Sequence, residues 1–378
     1  MVALPLTPHR VRLQKKPHTF TTFEALAHLG NLRFTQSNRR PSPEDPNVMV
    51  TTKIATTFSM VPSMARYLCN KFLLARFIET VEGKTEFSTA DAAWQLTPKG
   101  MSLLQSFGHR NGVQEKHVSD VLDSPRNTMQ LLVLERDPET DQLSTDRATI
   151  EVIFRRFAGS ETPDIKPGSS HSDDDSLGEQ NGIAGIKLYR EKRVNGRNCQ
   201  NVFTGKVAFD WLMDCCSLVD AKEAYDIAAL FLSYGYIEFV GDETKQLIGD
   251  HFSPSKSAFF VISHKGQSVA KWLPTNKPLS SDDRGFKLQQ SFRDSNGNRM
   301  TTIVTTPSLR LLFRGFLKET HCEENLVFYL EVRDFLGRWG NALKRQKNVE
   351  DPSLDIVRET LAAAYGTLLR WNVSLQYS

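Results

Sequence analysis

Long apolar runs are absent from this sequence. No stretch approaches the ~20 consecutive apolar residues that a helix needs to cross a bilayer. The segment Met1 to Lys16 has a few scattered apolar residues and no continuous apolar core of the kind found in signal peptides. We therefore expect a cytoplasmic protein that is soluble or peripheral on a membrane.

Cysteine is scarce, and the spacing of the cysteines matches neither a disulfide framework nor a zinc site. The five cysteines form no CxxC pair, have no histidine at a zinc-finger distance and are odd in number. This pattern argues against a disulfide framework and against a zinc site. We expect reduced thiols, mostly packed, at Cys69, Cys199, Cys215, Cys216 and Cys322.

Catalytic signatures and an excess of one charge are missing too. The sequence contains no GxxxxGK[ST] phosphate loop, GxSxG elbow, HExxH helix or HxE with PCxxC zinc pattern. We expect no cofactor and no reaction run by the chain itself. Because 47 basic residues oppose 44 acidic ones, the formal charge is only +3, which does not indicate a nucleic-acid binder. Local clusters of charge can still matter.

The 378 residues suffice for two or three domains, since single cores rarely exceed ~250 residues. Three segments rich in proline, glycine, serine and acidic residues interrupt the chain: Arg39 to Asn47, Gly159 to Gly182, and Trp272 to Asn298. Such segments offer too little apolar area to offset the entropy of ordering. The second is the clearest linker.

An internal repeat is the most informative feature of the organisation. Residues 65–81 and 96–100 resemble residues 228–240 and 262–266, with offsets of 159 and 166. In each copy an amphipathic helix leads into a short strand, a polar hairpin and a strand that closes at Lys-Gly. This order is expected of a winged helix.

The second copy resembles the DEP family across Ile186 to Trp272. The matching elements follow the family's order: Cys199, Phe203-Thr204-Gly205, Phe209-Asp210-Trp211-Leu212 and Tyr234-Gly235-Tyr236-Ile237. The first copy, roughly Phe20 to Phe107, resembles a diverged DEP-type unit of fungal RGS proteins, although it lacks the Asp-Trp-Leu element. Between the copies, His117 to Phe157 is interpreted as a polar connection with helical stretches.

The C-terminal third has the apolar periodicity of a helical bundle. One stripe recurs at i, i+3, i+4, i+7, i+8 and i+11 along a first helix: Leu309, Leu312, Phe313, Phe316, Leu317 and Thr320. The next helix is apolar on two sides, with Leu326, Tyr329 and Leu330 on one and Phe328, Val332 and Phe335 on the other. A helix of this kind belongs in the middle of a bundle.

The string from Leu312-Phe313 through Phe316-Leu317 to Glu323-Glu324-Asn325-Leu326 and Phe328-Tyr329-Leu330 resembles the RGS box, the domain of the regulators of G-protein signalling. The resemblance implies a GTPase-activating protein for a Gα subunit, which is not itself an enzyme. It implies Gα contacts at His321, Cys322, Glu324 and Asn325. In the family, the residue matching Asn325 orients the water-positioning glutamine of Gα, and the residue matching Glu324 supports a switch backbone.

The resemblance to the RGS box stops after Gly366. We expect a C-terminally truncated box, in which a half-bundle would expose Phe313, Phe316 and Phe328. Such a segment would fold poorly alone.

A basic cluster marks the start of the DEP-like copy: Lys187, Arg190, Lys192, Arg193 and Arg197. Its simplest interpretation is a solvated arm. The functional interpretation is contact with acidic phospholipids or a receptor tail, each base adding about 1 kcal/mol near an anionic membrane. The DEP resemblance implies targeting to the plasma membrane in these two ways.

The expected fold class is two α+β winged-helix (DEP-like) domains followed by a partial all-α RGS bundle. The expected segments are a tail (1–19), a diverged DEP-like domain (20–110), a connection (111–158), a disordered linker (159–182), a DEP domain (183–273), a linker (274–303), a partial RGS box (304–366) and a divergent tail (367–378).

Two other functions remain open. The chain could be an adaptor whose truncated box is inert and whose DEP units bind receptor or membrane. The winged helices could instead read DNA, but the helix from Val219 to Tyr234 carries Asp220, Glu223 and Asp226 against a single Lys222, which matches phosphate poorly. We therefore expect no nucleic-acid partner.

Overall fold

The structure is a computed structural model that describes residues 4, 6–41, 49–83, 86–111, 115–137, 140–159, 185–241, 252–272, 296–320 and 322–345. The chain divides into two compact units, Met1–Glu319 and Thr320–Ser378, and each is described by itself. None of the helices in the described ranges has the length and apolar character that a bilayer crossing requires.

A four-stranded antiparallel sheet, in the order β1-β2-β6-β5, organises the N-terminal module. Trp94 and Phe20 are fully buried between this sheet and its helices, and the Trp94 indole donates to Thr22 Oγ1 at 2.9 Å. The elements are β1 (Thr7–Val11), β2 (Gln14–Thr21), α1 (Thr22–Leu29), β3 (Leu32–Pro41), β4 (Met49–Phe58), α2 (Pro62–Leu74), β5 (Ile78–Thr80), β6 (Ala93–Leu96), α3 (Pro98–Asn111) and α4 (Lys116–Leu122).

The first module begins earlier than its predicted start at residue 20. Strands β1 and β2 lie mostly within the predicted tail, and Leu4 and Leu6 are buried in the module's core. At the other end, α4 packs Val118 and Val121 into the same core, although it lies in the predicted connection. The described part of the predicted tail, residues 4 and 6–19, is therefore structured chain, because its few apolar side chains pack into the core of the module.

The second module repeats this strand order, β7-β8-β10-β9, and is also antiparallel. Its core contains Phe203, Leu212, Phe231 and Phe260, all fully buried. The elements are α5 (Arg147–Ala158), β7 (Tyr189–Val194), β8 (Arg197–Thr204), α6 (Gly205–Cys215), α7 (Ala221–Ser233), β9 (Ile237–Phe239), β10 (Phe259–Ile262) and α8 (His264–Val269).

Helix α5 corrects the interpretation of residues 111–158 as a polar connection. Ile150, Ile153, Phe154 and Phe157, spaced i, i+3, i+4 and i+7, are fully buried in the core of the second module. Asp146 caps the helix by accepting from the Thr149 backbone N–H at 3.0 Å. A helix that the sequence assigned to a connection is thus central to the DEP-like core.

Equivalent positions of the two modules share unusual backbone geometry. His18 and Asn201, at the same point of β2 and β8, both have φ of 54°. A Cβ on Gly100 would lie 2.0 Å from the Phe77 carbonyl oxygen, and one on Gly266 would lie 2.1 Å from that of Tyr236. Only glycine permits such an approach. The glycine of each Lys-Gly sequence is therefore required for the same structural reason.

Three helices follow: α9 (Asn296–Thr305) and α10 (Pro307–Glu319) in the first unit, and α11 (Glu323–Arg345) in the second. Helix α9 falls largely within the predicted linker 274–303. The described residues end at 345, so the predicted end of the box at 366 and the tail 367–378 lie outside them, as do residues 160–182 of the predicted linker.

The face of α10 that is buried differs from the predicted one. Ser308 and Leu311 are buried, Leu311 within the core of the second module, whereas Leu312 and Phe316 of the predicted stripe are exposed within the described structure. The Arg310 guanidinium donates from Nε to Glu135 Oε1 at 2.7 Å. Helix α10 therefore docks on the second module through residues beside the predicted apolar stripe.

Candidate functional site

Three of the four residues predicted to contact Gα lie at the start of α11: Glu324 and Asn325 are in its first turn, and Cys322 directly precedes it. The Cys322 carbonyl accepts from the Asn325 backbone N–H at 3.2 Å, and the Cys322 thiol donates to the Thr320 carbonyl at 3.2 Å. These bonds fix the entry to the helix. His321 lies outside the described residues.

Glu324 and Asn325 both point into solvent from this turn. Neither side chain has a hydrogen-bond or ion-pair partner within the described part of the chain, so both are available to another molecule. A carboxylate in the first turn is also stabilised by the helix dipole. Leu326, the next residue, is buried.

The five predicted basic residues of the second module lie on or just before the β7–β8 hairpin. Lys187, Arg190, Arg193 and Arg197 are exposed. Arg193 and Arg197 flank the Asn195-Gly196 turn, in which both residues have positive φ. The hairpin thus presents most of its positive charge to solvent.

Lys192 differs from the other four. It is half-buried, and its Nζ lies 4.2 Å from the centroid of the Tyr189 ring and 4.5 Å from that of Phe259. A cation held over two aromatic faces is already stabilised inside the protein. Lys192 therefore contributes more to the packing of this hairpin than its sequence position indicates.

The interface between the two modules was not predicted from the sequence, and its first anchor is Arg76. Its guanidinium donates to Asp210 Oδ1 at 2.5 Å and to Asp214 Oδ2 at 2.8 Å, both on α6. Burial raises the pKa of Asp214 above its ordinary value, although Arg76 lies beside it. Asp210 is the acidic residue of the Asp-Trp-Leu element, and it faces the N-terminal module while Trp211 and Leu212 lie in the core of the second.

Lys99 is the second anchor of that interface. Its side chain is buried, and Nζ donates to the carbonyls of Met213 and Leu218 at 2.6 Å each. Met213 lies in the last turn of α6, where carbonyls have no partner within the helix. A lysine of the first module therefore caps a helix of the second.

A signal for the Arg76 contact was present in the repeat. At the offset of 159, Arg76 aligns with Gly235, and the two residues have φ of 59° and 67°. Glycine is the residue suited to this left-handed position after a helix. An arginine there costs backbone energy, which indicates that its side chain is needed elsewhere.

We predict that Arg76→Gly has opposite effects in two backgrounds. In the native chain it should lower the free energy of unfolding by about 1–3 kcal/mol, because Asp214 loses its guanidinium partner and Asp210 keeps only Lys206. With Asp210→Asn and Asp214→Asn already present, the same change should stabilise by about 1 kcal/mol, because the backbone strain is relieved. Urea unfolding of the four proteins measures both effects. The same sign in both backgrounds would contradict the interpretation.

Acidic side chains dominate the helix that a DNA reader would use. In α7, Glu223 forms a two-pronged ion pair with Arg136, at 2.6 and 2.9 Å, and Lys222 pairs with Asp226 at 2.8 Å. Asp220 caps the same helix. The sole basic residue near its start is thus already paired with an acid, and the face is unsuited to phosphate.

The cysteines lie as unpaired thiols in the structure, and all five are within the described ranges. Burial raises the pKa of Cys69 to about 11 and that of Cys215 to about 12, so these thiols stay protonated at neutral pH. Among the described residues, no three histidine, cysteine or acidic side chains are grouped as a metal site requires.

Three families match successive parts of the chain. Residues 1–124 match the fungal-differentiation regulator winged helix domain. Residues 185–262 match the domain found in Dishevelled, Egl-10, and Pleckstrin (DEP), and residues 299–368 match the regulator of G protein signaling domain. The first match includes the strands in 1–19 and helix α4, in agreement with the structure.

Two curated proteins are similar over 97% of this chain. The developmental regulator flbA of Emericella nidulans is 50% identical over 376 residues, and this chain spans about half (51%) of its length. Regulator of G-protein signaling 1 of Schizosaccharomyces pombe is 26% identical over 374 residues, which are 72% of its length. The solution structure of the DEP domain of human pleckstrin is 25% identical, covering 26% of this chain and 91% of that one, with a TM-score of 0.20.

Proposed function

This chain belongs to the fungal regulators of G-protein signalling that carry a DEP domain, and from that membership we propose that it accelerates GTP hydrolysis by a Gα subunit. The observation that carries the proposal is the exposed first turn of α11, with Glu324 and Asn325 free to meet a partner inside the RGS-matching region. The chain would thereby turn down the signal without catalysing a reaction itself.

The proposed mechanism needs no covalent chemistry. Only contacts that are stronger in the transition state than in the ground state raise a rate, so the regulator binds the Gα switches best in their transition-state arrangement. Asn325 would orient the glutamine that positions the attacking water, and Glu324 would support a switch backbone. Cys322 would contribute from the helix entry, and His321 would act beside it. Positioning and electrostatic stabilisation account for most catalysis of phosphoryl transfer.

Single-turnover GTP hydrolysis by a cognate Gα tests this proposal. We expect the full chain to stimulate hydrolysis and Asn325→Ala to lower the stimulated rate by about a hundredfold, because a misplaced reacting group costs about that much. Glu331→Gln, on the exposed side of the same helix two turns later, is the matched control and should leave the rate unchanged. Stimulation by Asn325→Ala equal to that of the native chain would overturn the role of this residue.

The adaptor hypothesis gives a different result in a second assay. An RGS protein should bind Gα in the transition-state-mimic form in preference to the GDP form, because that preference is the source of its activity. An adaptor that uses only its DEP unit would show no such preference. Equal capture of both forms, together with no stimulation, would favour the adaptor.

We also propose that the DEP module recruits the chain to the plasma membrane from the cytoplasm. The β7–β8 residues Lys187, Arg190, Lys192, Arg193 and Arg197 would meet acidic phospholipids or an acidic receptor tail. Four of the five are exposed, which supports this role, and Lys192 would act mainly by stiffening the hairpin.

We further propose that the two modules are copies of one winged-helix unit. The identical strand order supports this, as do the glycines that approach a carbonyl at equivalent places and the shared left-handed positions. The second copy keeps the ordinary glycine at the end of its helix, whereas the first has Arg76 there. In this proposal the first copy diverged so that it could bind the second.

A further inference from the structure

The β1–β2 hairpin ends in an exposed leucine surrounded by positive charge. Leu13 is 88% exposed at the two-residue turn that joins the strands. The tip cations, defined as Arg10, Arg12, Lys15 and Lys16, all lie within three residues of it. No acidic residue occurs between Thr7 and Thr21, and the nearest acid along the chain, Glu24, interacts with His9 and with the Thr21 backbone N–H.

The corresponding hairpin of the second module shows what an ordinary turn at this place looks like. Val194 and Arg197 pair across the Asn195-Gly196 turn, just as Val11 and Gln14 pair across Arg12-Leu13. Asn-Gly is the preferred sequence for a two-residue hairpin turn. The first module thus has an arginine and a leucine where the fold favours asparagine and glycine.

Two features of this tip are unfavourable for the folded chain. Arg12 has φ of 55°, a left-handed conformation that arginine adopts at a cost. Arg10 and Lys15 are direct partners across the two strands, and like charges placed opposite each other are destabilising. Because neither feature helps folding, the tip is better explained by a ligand than by stability.

The chemistry of the tip decides between possible ligands. The four cations require an anionic partner, which nucleic acid, an acidic peptide or an anionic membrane could supply. Leu13 at the apex has no role against a polyphosphate chain. A protruding apolar side chain ringed by cations instead suits the boundary between lipid headgroups and acyl chains, where the two attractions add.

We infer that the β1–β2 tip is a membrane-binding loop for anionic phospholipid. The tip cations contact the headgroups, and Leu13 enters the boundary with the acyl chains. This site lies on the N-terminal module and is additional to the β7–β8 hairpin proposed above. Two binding hairpins on one chain would hold it more firmly than either alone, since linked weak sites reinforce each other.

Vesicle cosedimentation of the full chain tests the inference. Vesicles of phosphatidylcholine with about one fifth phosphatidylserine serve as the anionic probe, and pure phosphatidylcholine as the neutral one. The variant Arg12→Asn/Leu13→Gly installs the turn of the second module, so it should fold at least as well as the native chain. We expect it to lower binding to the anionic vesicles by about tenfold or more.

Single substitutions distinguish the contribution of Leu13 insertion to vesicle binding from that of the tip cations. Leu13→Ser should weaken binding several-fold while leaving its salt dependence unchanged. Leu74→Ser, the same change at another exposed leucine of the module, should have no effect. Arg190→Ser/Arg193→Ser tests the β7–β8 hairpin separately.

Several outcomes would overturn the inference. One is binding by Arg12→Asn/Leu13→Gly equal to that of the native chain, which would assign all vesicle binding to β7–β8 or elsewhere. Others are equal binding to neutral vesicles and no binding to either kind. A shift of duplex DNA, or capture of an acidic peptide, that the double variant abolishes while vesicle binding persists would assign the tip to that partner instead.

Discussion

Replacing Phe157 with alanine is expected to lower the free energy of unfolding of the second module by about 3–5 kcal/mol. The ring is fully buried and lies 5.2–5.6 Å, centroid to centroid, from Phe203, Trp211 and Phe231. Two of these contacts are edge-to-face, an arrangement that adds to the effect of burial. Removal of the ring leaves a cavity among rigid aromatic neighbours that cannot collapse to fill it.

Native-state hydrogen exchange at the amides of α6 and α7 measures this loss, because it reports the free energy of opening of that module alone. Phe23→Ala is the control, since Phe23 is 69% exposed, and it should change stability by no more than about 0.5 kcal/mol. If Phe157→Ala left the exchange of α6 and α7 unchanged, α5 would be a connection after all.

Replacing Lys99 with alanine is expected to lower the free energy of unfolding by about 3–5 kcal/mol. The change removes two charge-assisted hydrogen bonds, about 1.5–3 kcal/mol each, and the packing of a buried stem. It also removes the cost of burying a charge. This cost is reflected in the pKa of Lys99, which burial lowers to about 8. That relief, about 3 kcal/mol, is smaller than the combined losses.

Lys265 supplies a matched control, because it occupies the equivalent position of the second module. Its Nζ lies 5.7 Å from the Tyr236 ring centroid, much as Lys99 Nζ lies 5.4 Å from that of Phe77, but Lys265 is exposed. Lys265→Ala should cost less than about 1 kcal/mol. Similar losses for the two lysines in urea unfolding would show that the carbonyls of α6 do not depend on Lys99.

The contribution of Lys99 should also depend on pH. Because its folded pKa, about 8, lies below the ordinary value of 10.5, the unfolded chain binds more protons between these values. The stability contributed by Lys99 therefore rises from pH 8 towards pH 10.5 and is lost as pH falls through 8. The difference in unfolding free energy between native chain and Lys99→Ala should widen by about 1 kcal/mol per pH unit in this window. A difference that stays constant from pH 7.5 to 9.5 would contradict the assignment.

Much of the local structure was predictable from the sequence because its causes are local. The helix from Ala221 to Ser233 follows from its apolar spacing and the acid that caps it, and the strand after it follows from Gly235. Where the prediction was wrong, the local signal was weak. Residues 7–21 are too polar to indicate strands alone, and become strands because β2 pairs with β6.

The same limit explains the error on α5. Its apolar spacing is that of an amphipathic helix, yet its flanks are polar and the segment before it is irregular, so the sequence does not say which core it enters. Phe154 meets Phe231 and Tyr236, which lie more than seventy residues later, at ring distances of 5.0 Å. Burial of this kind is decided by the surface that the rest of the chain presents.

By itself the sequence determined the kinds of modules, their order, the RGS string that led to the first turn of α11, and the basic character of the β7–β8 hairpin. Only the tertiary structure decided that Arg76 and Lys99 join the two modules, that α10 docks on the second through Arg310, and that Leu13 stands at the tip of a cationic hairpin. The physical reason is the distance along the chain over which each interaction acts. Periodicity and turn chemistry act over a few residues, whereas Lys99 and its acceptors are separated by more than a hundred and meet only when both modules are folded.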